Sequence, residues 1–327
     1  VADDIFDLTI IGAGPAGLYA TYYAGFRGLK VKLIDSLEEL GGQVTALYPE
    51  KYIFDVAGFP KVLGKDLIKN LVEQALQYKP TVCLGERVQS IKAGEEKTYT
   101  LQTDKASHLT SAVVVTIGIG AFNPKRIPAA NAQQFEGKGL SYFVPDIRRF
   151  DGKRVVIVGG GDSAVDWALN LLPRAASVTL VHRRDGFRAH EESVRQLKES
   201  KTVLKLFCEV KSIQGSSGIE SVVLSNTKAQ SEETLPADEV LACLGFEASI
   251  GPLAQWGLTL RGNDIPVSTK METNLPGIYA AGDVTHYPGK VKLIACGFGE
   301  AAVAVNNAVA YLKPGSSVFP GHSSNHA

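Results

Sequence analysis

Apolar positions fall into short blocks along the first third of the chain. Leu8 to Ile11 is an apolar run that predicts a buried strand, and it leads into Gly12-Ala13-Gly14-Pro15-Ala16-Gly17. A helical stretch follows to about Arg27, then a second apolar run, Val31 to Ile34, that ends at Asp35. Strand, glycine-rich turn, helix, strand is the order of a βαβ unit. Between Lys65 and Lys79 the apolar residues Leu67, Ile68, Leu71, Val72, Ala75 and Leu76 share one helix face. Strand-like runs follow around Val82, Val88 and Tyr99, and Val113 to Thr116 reads as a buried strand closed by Gly118 and Gly120.

The pattern restarts at Val155. Val155 to Val158 predicts a strand, Gly159-Gly160-Gly161-Asp162-Ser163-Ala164 a second glycine-rich turn, and the next residues a helix to about Leu172. A strand from Val178 to Val181 completes the unit, and strand-like pieces follow near Leu204, Val222 and Val240. Cys243-Leu244-Gly245-Phe246 reads as a crossing back to the first domain, Ile278 to Asp283 as a late strand ending in a Gly-Asp turn, and Ala301 to Leu312 as an Ala-rich helix. Gly12 and Gly159 lie 147 residues apart, far beyond a solenoid period. The chain therefore predicts an α/β fold with two Rossmann-like, three-layer (ββα) dinucleotide-binding domains. One domain is discontinuous (1–117 and 247–327) and the other (118–246) is inserted in it.

A glycine-rich turn between strand and helix permits close approach of a pyrophosphate to a helix N-terminus. The end of the second strand distinguishes the two copies. Eighteen residues separate Gly17 from Asp35, and eighteen separate Ala164 from His182. Asp35 suits ribose hydroxyls and repels a 2′-phosphate, which predicts FAD or NAD. His182-Arg183-Arg184, with Arg188 beyond, suits a 2′-phosphate and predicts NADPH/NADP+. The late Gly282-Asp283 adds an acceptor for ribityl hydroxyls, which selects FAD, held non-covalently, for the first site.

Composition excludes several classes. Lys plus Arg (34) balance Asp plus Glu (34), which argues against general nucleic-acid binding. No apolar run reaches the ~18–20 residues of a membrane span. The acidic start, Val1 to Asp4, does not resemble a secretory signal. Cys83, Cys208, Cys243 and Cys296 are scattered, so neither a CxxC nor a zinc spacing is present, and no metal is expected. Such cysteines suit a reducing cytoplasm.

The combination of Gly12-x-Gly14-x-x-Gly17, Gly41-Gly42-Gln43, Gly159 to Ala164, His182-Arg183-Arg184 and Gly282-Asp283 resembles the thioredoxin reductase-like flavoproteins over nearly the whole chain. One departure matters. The stretch Leu140 to Asp146, where thioredoxin reductases carry their CxxC, holds no cysteine, and a related disulfide-reductase class would need a cysteine where Ala16 stands. Leu47-Tyr48-Pro49-Glu50-Lys51, Val56 to Pro60, Asp185-x-Phe187-Arg188-Ala189-His190-Glu191 and Gly297 to Ala301 are similar to the ferredoxin (flavodoxin)–NADP reductases of this fold. That resemblance implies hydride transfer between NADPH and FAD, single electrons passed to ferredoxin or flavodoxin, rotation of the domains, and a homodimer. It implies an FAD site of Gly12, Gly14, Pro15, Ala16, Gly17, Asp35, Gly42, Gln43, Tyr48, Val88, Gly118, Phe122, Gly282, Asp283 and Ser324. The NADPH site comprises Gly161, Asp162, Ser163, Ala164, His182, Arg183, Arg184 and Arg188. Tyr48 is expected to stack on one flavin face. His322, in a C-terminal tail that reaches the partner's flavin, is expected over the other face, with Ser323 and Ser324 near flavin N5. Lys125, Arg126, Arg148, Arg149, Lys153 and Arg154 form a candidate patch for an acidic ferredoxin, with a solvated surface as the alternative. Two other functions stay open: an NADPH-dependent disulfide reductase without CxxC, and a nonenzymatic NADPH-responsive flavoprotein.

Overall fold

The computed structural model describes residues 5–95, 97–129 and 131–322, with backbone alone at 121–123 and 246–249. The chain divides into two compact units: Val1–Phe122 with Ala248–Ala327, and Asn123–Glu247.

The first unit is built on a parallel sheet of β1 (Phe6–Ile11), β2 (Val31–Ile34), β3 (Thr81–Cys83) and the end of β6 (Ser107–Val115), in the order β3-β2-β1-β6. The strands β4 (Val88–Ala93) and β5 (Tyr99–Thr103) continue it as an antiparallel meander on the first half of β6. The second half of β6 pairs in parallel with β1 and with β15 (Ile278–Ala280), in the register Val113↔Ile278, so the sheet forks along one strand. Leu8, Ile10, Leu33 and Val114 point into one core with α1 (Pro15–Phe26), α3 (Gly64–Ala75) and α6 (Ile294–Leu312). Ile11, Ile34, Val113 and Val115 point to the opposite core, with Val88, Leu101 and Trp256. Burial on both faces explains why these strands read as unbroken apolar runs.

Two helices depart from the sequence expectation. The helix expected to reach Lys79 ends at Ala75, runs through a short 3₁₀ turn at Leu76–Tyr78, and stops at Lys79, whose φ is 49°. The helix expected from Ala301 begins at Ile294, although Gly297 and Gly299 lie inside it. A helical glycine costs about 1 kcal/mol relative to Ala. At Gly297 an added Cβ would lie 3.4 Å from Ala16 Cβ and Gly282 Cα, an ordinary van der Waals contact, so α6 lies beside the first glycine-rich turn without space alone demanding the glycine.

The second unit repeats the plan. Its parallel sheet runs in the order β7-β14-β8-β9-β10, built from β7 (Leu140–Ser141), β14 (Glu239–Cys243), β8 (Arg154–Gly159), β9 (Ser177–His182) and β10 (Val203–Leu206). One face carries α4 (Asp162–Leu171) and α5 (Glu191–Glu199), with Ile157, Leu180, Val165, Leu171 and Leu197 in their core. The other carries the antiparallel meander of β11 (Cys208–Gln214), β12 (Ser221–Asn226) and β13 (Ser231–Pro236), packed through Val156, Val181, Val210, Val222 and Leu224. Among the described residues no helix is long and apolar enough to cross a membrane.

Candidate functional site

In a doubly wound sheet the strand order reverses at a crevice beyond the carboxyl ends of the strands, and ligands bind there. In the first unit that crevice lies between β1 and β6. Gly12 has φ +106°, and a Cβ there would lie 2.6 Å from Thr116 O. A Cβ on Gly17 would lie 1.8 Å from Gly12 O. These two glycines serve packing. Gly14 differs, because an added Cβ would meet nothing within 4 Å. It precedes Pro15 at the N-terminus of α1, which no side chain caps. Free N–H groups, the positive dipole end and an open approach are the features that a phosphate-binding turn requires.

Asp35 follows β2 and is 8% exposed. Its Oδ1 accepts from Leu37 N at 2.8 Å and its Oδ2 accepts from Ala13 N. Burial raises its pKa, and these backbone donors partly offset the shift. Each carboxylate oxygen keeps a lone pair for a hydroxyl. Gly42 has φ +58° and lies against Gly14, where a Cβ would be 2.8 Å from Gly14 Cα. Gln43, in the short helix α2 (Gly42–Leu47), sets its amide where a Cβ on Gly118 would come within 2.7 Å. Gly14, Gly42, Gln43 and Gly118 thus converge.

Tyr48 ends α2, and burial, with the charges of Asp283 and Asp55 added, pushes its phenol up to about 12. Tyr48 and Asp283 therefore share a neighbourhood. Gly282 turns the chain after β15 with φ +82°. Burial raises the pKa of Asp283, while Lys290 and Lys292 pull it down. Among the described residues the Asp283 carboxylate accepts no hydrogen bond, so donors must come from a ligand or water. Sequence reasoning missed the carboxylate behind this turn. Glu300 accepts from Gly282 N at 2.8 Å and Tyr287 OH at 2.5 Å, and pairs with Lys290, while Thr285 Oγ1 donates to Gly282 O at 2.8 Å and lies 3.4 Å from Glu300 Oε2. One signal was available: Glu300 is the sole charged residue in the 19 residues of α6.

In the second unit Gly159 has φ +154°, and a Cβ there would lie 2.4 Å from Cys243 O. Gly161 precedes Asp162, the first residue of α4, again with no side-chain cap. The loop after β9 folds back onto this turn. Arg188 N donates to Gly160 O at 2.7 Å, and His190 N donates to Asp162 Oδ1 at 2.9 Å. The His182 ring covers Gly160, where a Cβ would lie 2.1 Å from its Cε1. It stacks on Phe187 at 5.2 Å, and its Nε2 lies 3.0 Å from Gly186 O. Arg183, Arg184 and Arg188 are exposed and make no ion pair among the described residues. The proposed docking cations differ: Arg126 pairs with Glu136, Arg148 with Asp146, Arg149 with Glu239 and Arg154 with Asp238. Four partners of opposite charge largely cancel that patch.

Of the remaining candidates, the structure describes the side chains of Val88 and His322. Val88 is 4% exposed, so its side chain belongs to the core and only its backbone is free to meet a ligand. The exposed His322 ring sits edge-on to Phe319, 5.4 Å away, at the end of a tail that Arg27 holds through Ser317 O and Val318 O. Ser323, Ser324 and the Phe122 side chain lie outside the described residues. All four cysteines are free, and burial raises the thiol pKa of Cys83 and Cys208. Cys83, Glu86 and His108 bring ligand-type atoms within 4.8 Å of one another. Lys32 Nζ, however, lies 2.7 Å from His108 Nδ1, and Glu86 Oε1 lies 2.6 Å from His108 Nε2. Both ring nitrogens are engaged in these contacts, one of them with a cation.

Residues 6–308 match the family described as Pyridine nucleotide-disulphide oxidoreductase. Ferredoxin–NADP reductase 2 of Shouchella clausii is 54% identical over 321 residues, covering 98% of this chain and 97% of its own. Ferredoxin–NADP reductase of Halalkalibacterium halodurans is 52% identical over 322 residues and 98% of both chains. Among solved structures, thioredoxin reductase of T. acidophilum is 27% identical with a TM-score of 0.78, covering 92% of this chain and 96% of that one. Thioredoxin reductase of Lactococcus lactis is 26% identical, also at 0.78, covering 94% and 99%.

Proposed function

The chain belongs to the pyridine nucleotide-disulphide oxidoreductases, as an enzyme of the ferredoxin–NADP reductase group, and we propose that it joins NADPH oxidation to one-electron delivery through a non-covalent FAD. One contrast carries the choice of nucleotides. A buried carboxylate, Asp35, follows the second strand of the first unit, and three exposed guanidiniums, with no ion pair among the described residues, follow the same strand of the second. A carboxylate repels a 2′-phosphate, and guanidiniums bind one in charged hydrogen bonds.

In this reading Gly14 and the start of α1 hold the FAD pyrophosphate, Asp35 the ribose, and Asp283 the ribityl hydroxyls. Gly42, Gln43 and Gly118 wall the same crevice, and the Tyr48 ring packs against the flavin. Gly161 to Ala164 hold the NADPH pyrophosphate, and Arg183, Arg184 and Arg188 its 2′-phosphate, with His182 setting their loop. A bound flavin accepts a hydride and releases electrons singly, and the protein's part is positioning. We assign the acceptor as ferredoxin or flavodoxin, the assembly as a homodimer whose tail carries His322, Ser323 and Ser324 to the second copy, and the compartment as cytoplasm. Free cysteines with two thiols raised by burial favour this over a disulfide reductase, which needs an accessible thiolate.

The test is an anaerobic acceptor screen with ferredoxin, flavodoxin and thioredoxin, run with NADPH and with NADH. We expect NADPH to bleach the flavin and electrons to reach ferredoxin or flavodoxin, unchanged when all four cysteines become Ser. Turnover of thioredoxin alone, lost in the cysteine-free variant, overturns the assignment.

A further inference from the structure

We propose that the buried Lys290–Glu300 pair is a positioning device for the flavin site: Glu300 fixes the Gly282–Asp283 turn by hydrogen bonding, and the two opposite charges balance the field behind it. The inference rests on the reading of the first unit as the FAD site.

The Lys290 and Glu300 side chains are 5% and 6% exposed. An isolated buried charge is strongly disfavoured, so each needs the other. A well-packed apolar pair would serve stability as well or better, so stability alone does not account for the ions. An apolar residue at position 300 cannot, however, accept a hydrogen bond. Gly282 N–H points to Glu300 Oε2 at 2.8 Å, from a turn held at φ +82°. Without that acceptor the buried N–H has no partner among the described residues, a cost of about 1–3 kcal/mol. Thr285 Oγ1 donates its one proton to Gly282 O at 2.8 Å and so braces the same turn, with Glu300 Oε2 3.4 Å away. Tyr287 OH is the second donor to the carboxylate. Asp283 is the next residue after Gly282, and its direction is set by that turn. The Lys290 ammonium pairs with Glu300 and, with Lys292, also lowers the pKa of Asp283, so the charge of this pair is felt at the turn.

Hydrogen bonding and charge separate in four variants, each measured as flavin-free chain titrated with FAD and as the reduction potential of bound flavin. Glu300→Gln keeps an acceptor for Gly282 N–H and leaves Lys290 unbalanced. Reduction adds negative charge to the flavin, so its potential should rise. Lys290→Met leaves Glu300 unbalanced, and the potential should fall. The double variant Lys290→Met/Glu300→Gln should return the potential to the wild-type value and bind FAD within about threefold of wild type, because the acceptor remains. Lys290→Met/Glu300→Leu is also neutral but lacks the acceptor, and FAD affinity should fall at least about tenfold. Potentials that do not move in opposite directions overturn the charge role. Equal FAD affinity in the two double variants overturns the turn role. Wild-type chain that takes up no FAD overturns the underlying reading of the site instead.

Discussion

Asp35 and His182 occupy equivalent places in the two units, and each reaches back over the second residue of its glycine-rich turn. The Asp35 carboxylate is small, accepts from Ala13 N, and leaves room for the fully buried Ala13 methyl. The His182 ring is larger and fills the space a methyl on Gly160 would need. The third motif position differs in the opposite sense. A methyl on Gly17 would collide with Gly12 O at 1.8 Å, whereas the second unit accepts Ala164 there. Gly12, Gly17, Gly159 and Gly160 thus answer to local neighbours, while Gly14 and Gly161, each just before its helix, have room for a ligand. One unit turns a buried carboxylate inward and the other turns exposed guanidiniums outward.

The largest effect expected from this contrast is that of Gly17→Ala. Its new methyl meets backbone, which cannot move aside cheaply, so overpacking should cost about 3 kcal/mol or more. The purified variant should carry no flavin absorbance, while Ala164→Gly keeps NADPH binding within about threefold. Full flavin content in Gly17→Ala breaks the contrast. Next in size is Arg183→Ala. Loss of one charged hydrogen bond to a 2′-phosphate is worth about 1.5–3 kcal/mol, about 10- to 100-fold in affinity. NADPH binding should weaken by that factor with NADH unchanged, and equal losses for both nucleotides would remove the 2′-phosphate role.

Much of this contrast is legible in the sequence. The equal spacings from Gly17 to Asp35 and from Ala164 to His182 set the two strand ends in register, because strand and helix lengths fix where a βαβ unit returns. Periodicity finds β1, β2, α1 and their counterparts for the same reason: buried parallel strands are apolar on both faces. It is blind where a side chain answers to a residue distant in sequence. Gly160 looks like part of a phosphate motif, and nothing local shows that His182 claims its space. The start of α6 is hidden because Gly297 and Gly299 oppose local helix propensity, and the neighbours of that turn, Ala16 and Gly282, are distant in sequence. Glu300 stands inside a family-like stretch, yet its partners Gly282, Tyr287 and Lys290 come from a separate loop. In the supposed docking patch the partners of Arg149 and Arg154, Glu239 and Asp238, are distant in sequence and invisible to a local reading, whereas Asp146 beside Arg148 was there to be read.

Gly160→Ala tests the ring-over-turn packing and should be milder than Gly17→Ala, since the obstructing neighbour is a side chain able to shift. Displacing the ring should loosen the Arg183–Arg188 loop and weaken NADPH about tenfold, near the lower end of overpacking costs. The double variant Gly160→Ala/His182→Ser supplies room for the methyl and should recover most of the loss. No recovery would mean that the two residues do not share one space.

The smallest effect separates the two units by pH. Burial holds the Asp35 carboxyl above its ordinary value of 3.8, and Asp283 shifts the same way. Hydroxyl donors from a bound ribose favour the ionised carboxylate and so lower its pKa. Binding then expels a proton in the window between the ligand-free and ligand-bound values, and affinity rises as pH increases through that window. FAD affinity should therefore climb by a few-fold as pH rises through the raised carboxyl range above the ordinary 3.8, and then level off. Asp35→Asn should bind less tightly at neutral pH and show a flatter curve, with Asp283 supplying the slope that remains. The guanidinium site follows a different rule, because a guanidinium keeps its charge throughout this range. Its pull on a 2′-phosphate should respond to salt instead, since exposed charges are screened over about 10 Å at 0.1 M ionic strength. A wild-type FAD curve as flat as that of Asp35→Asn would show that Asp35 makes no contact with the ribose. The carboxylate would then serve only to close the turn through Ala13 and Leu37.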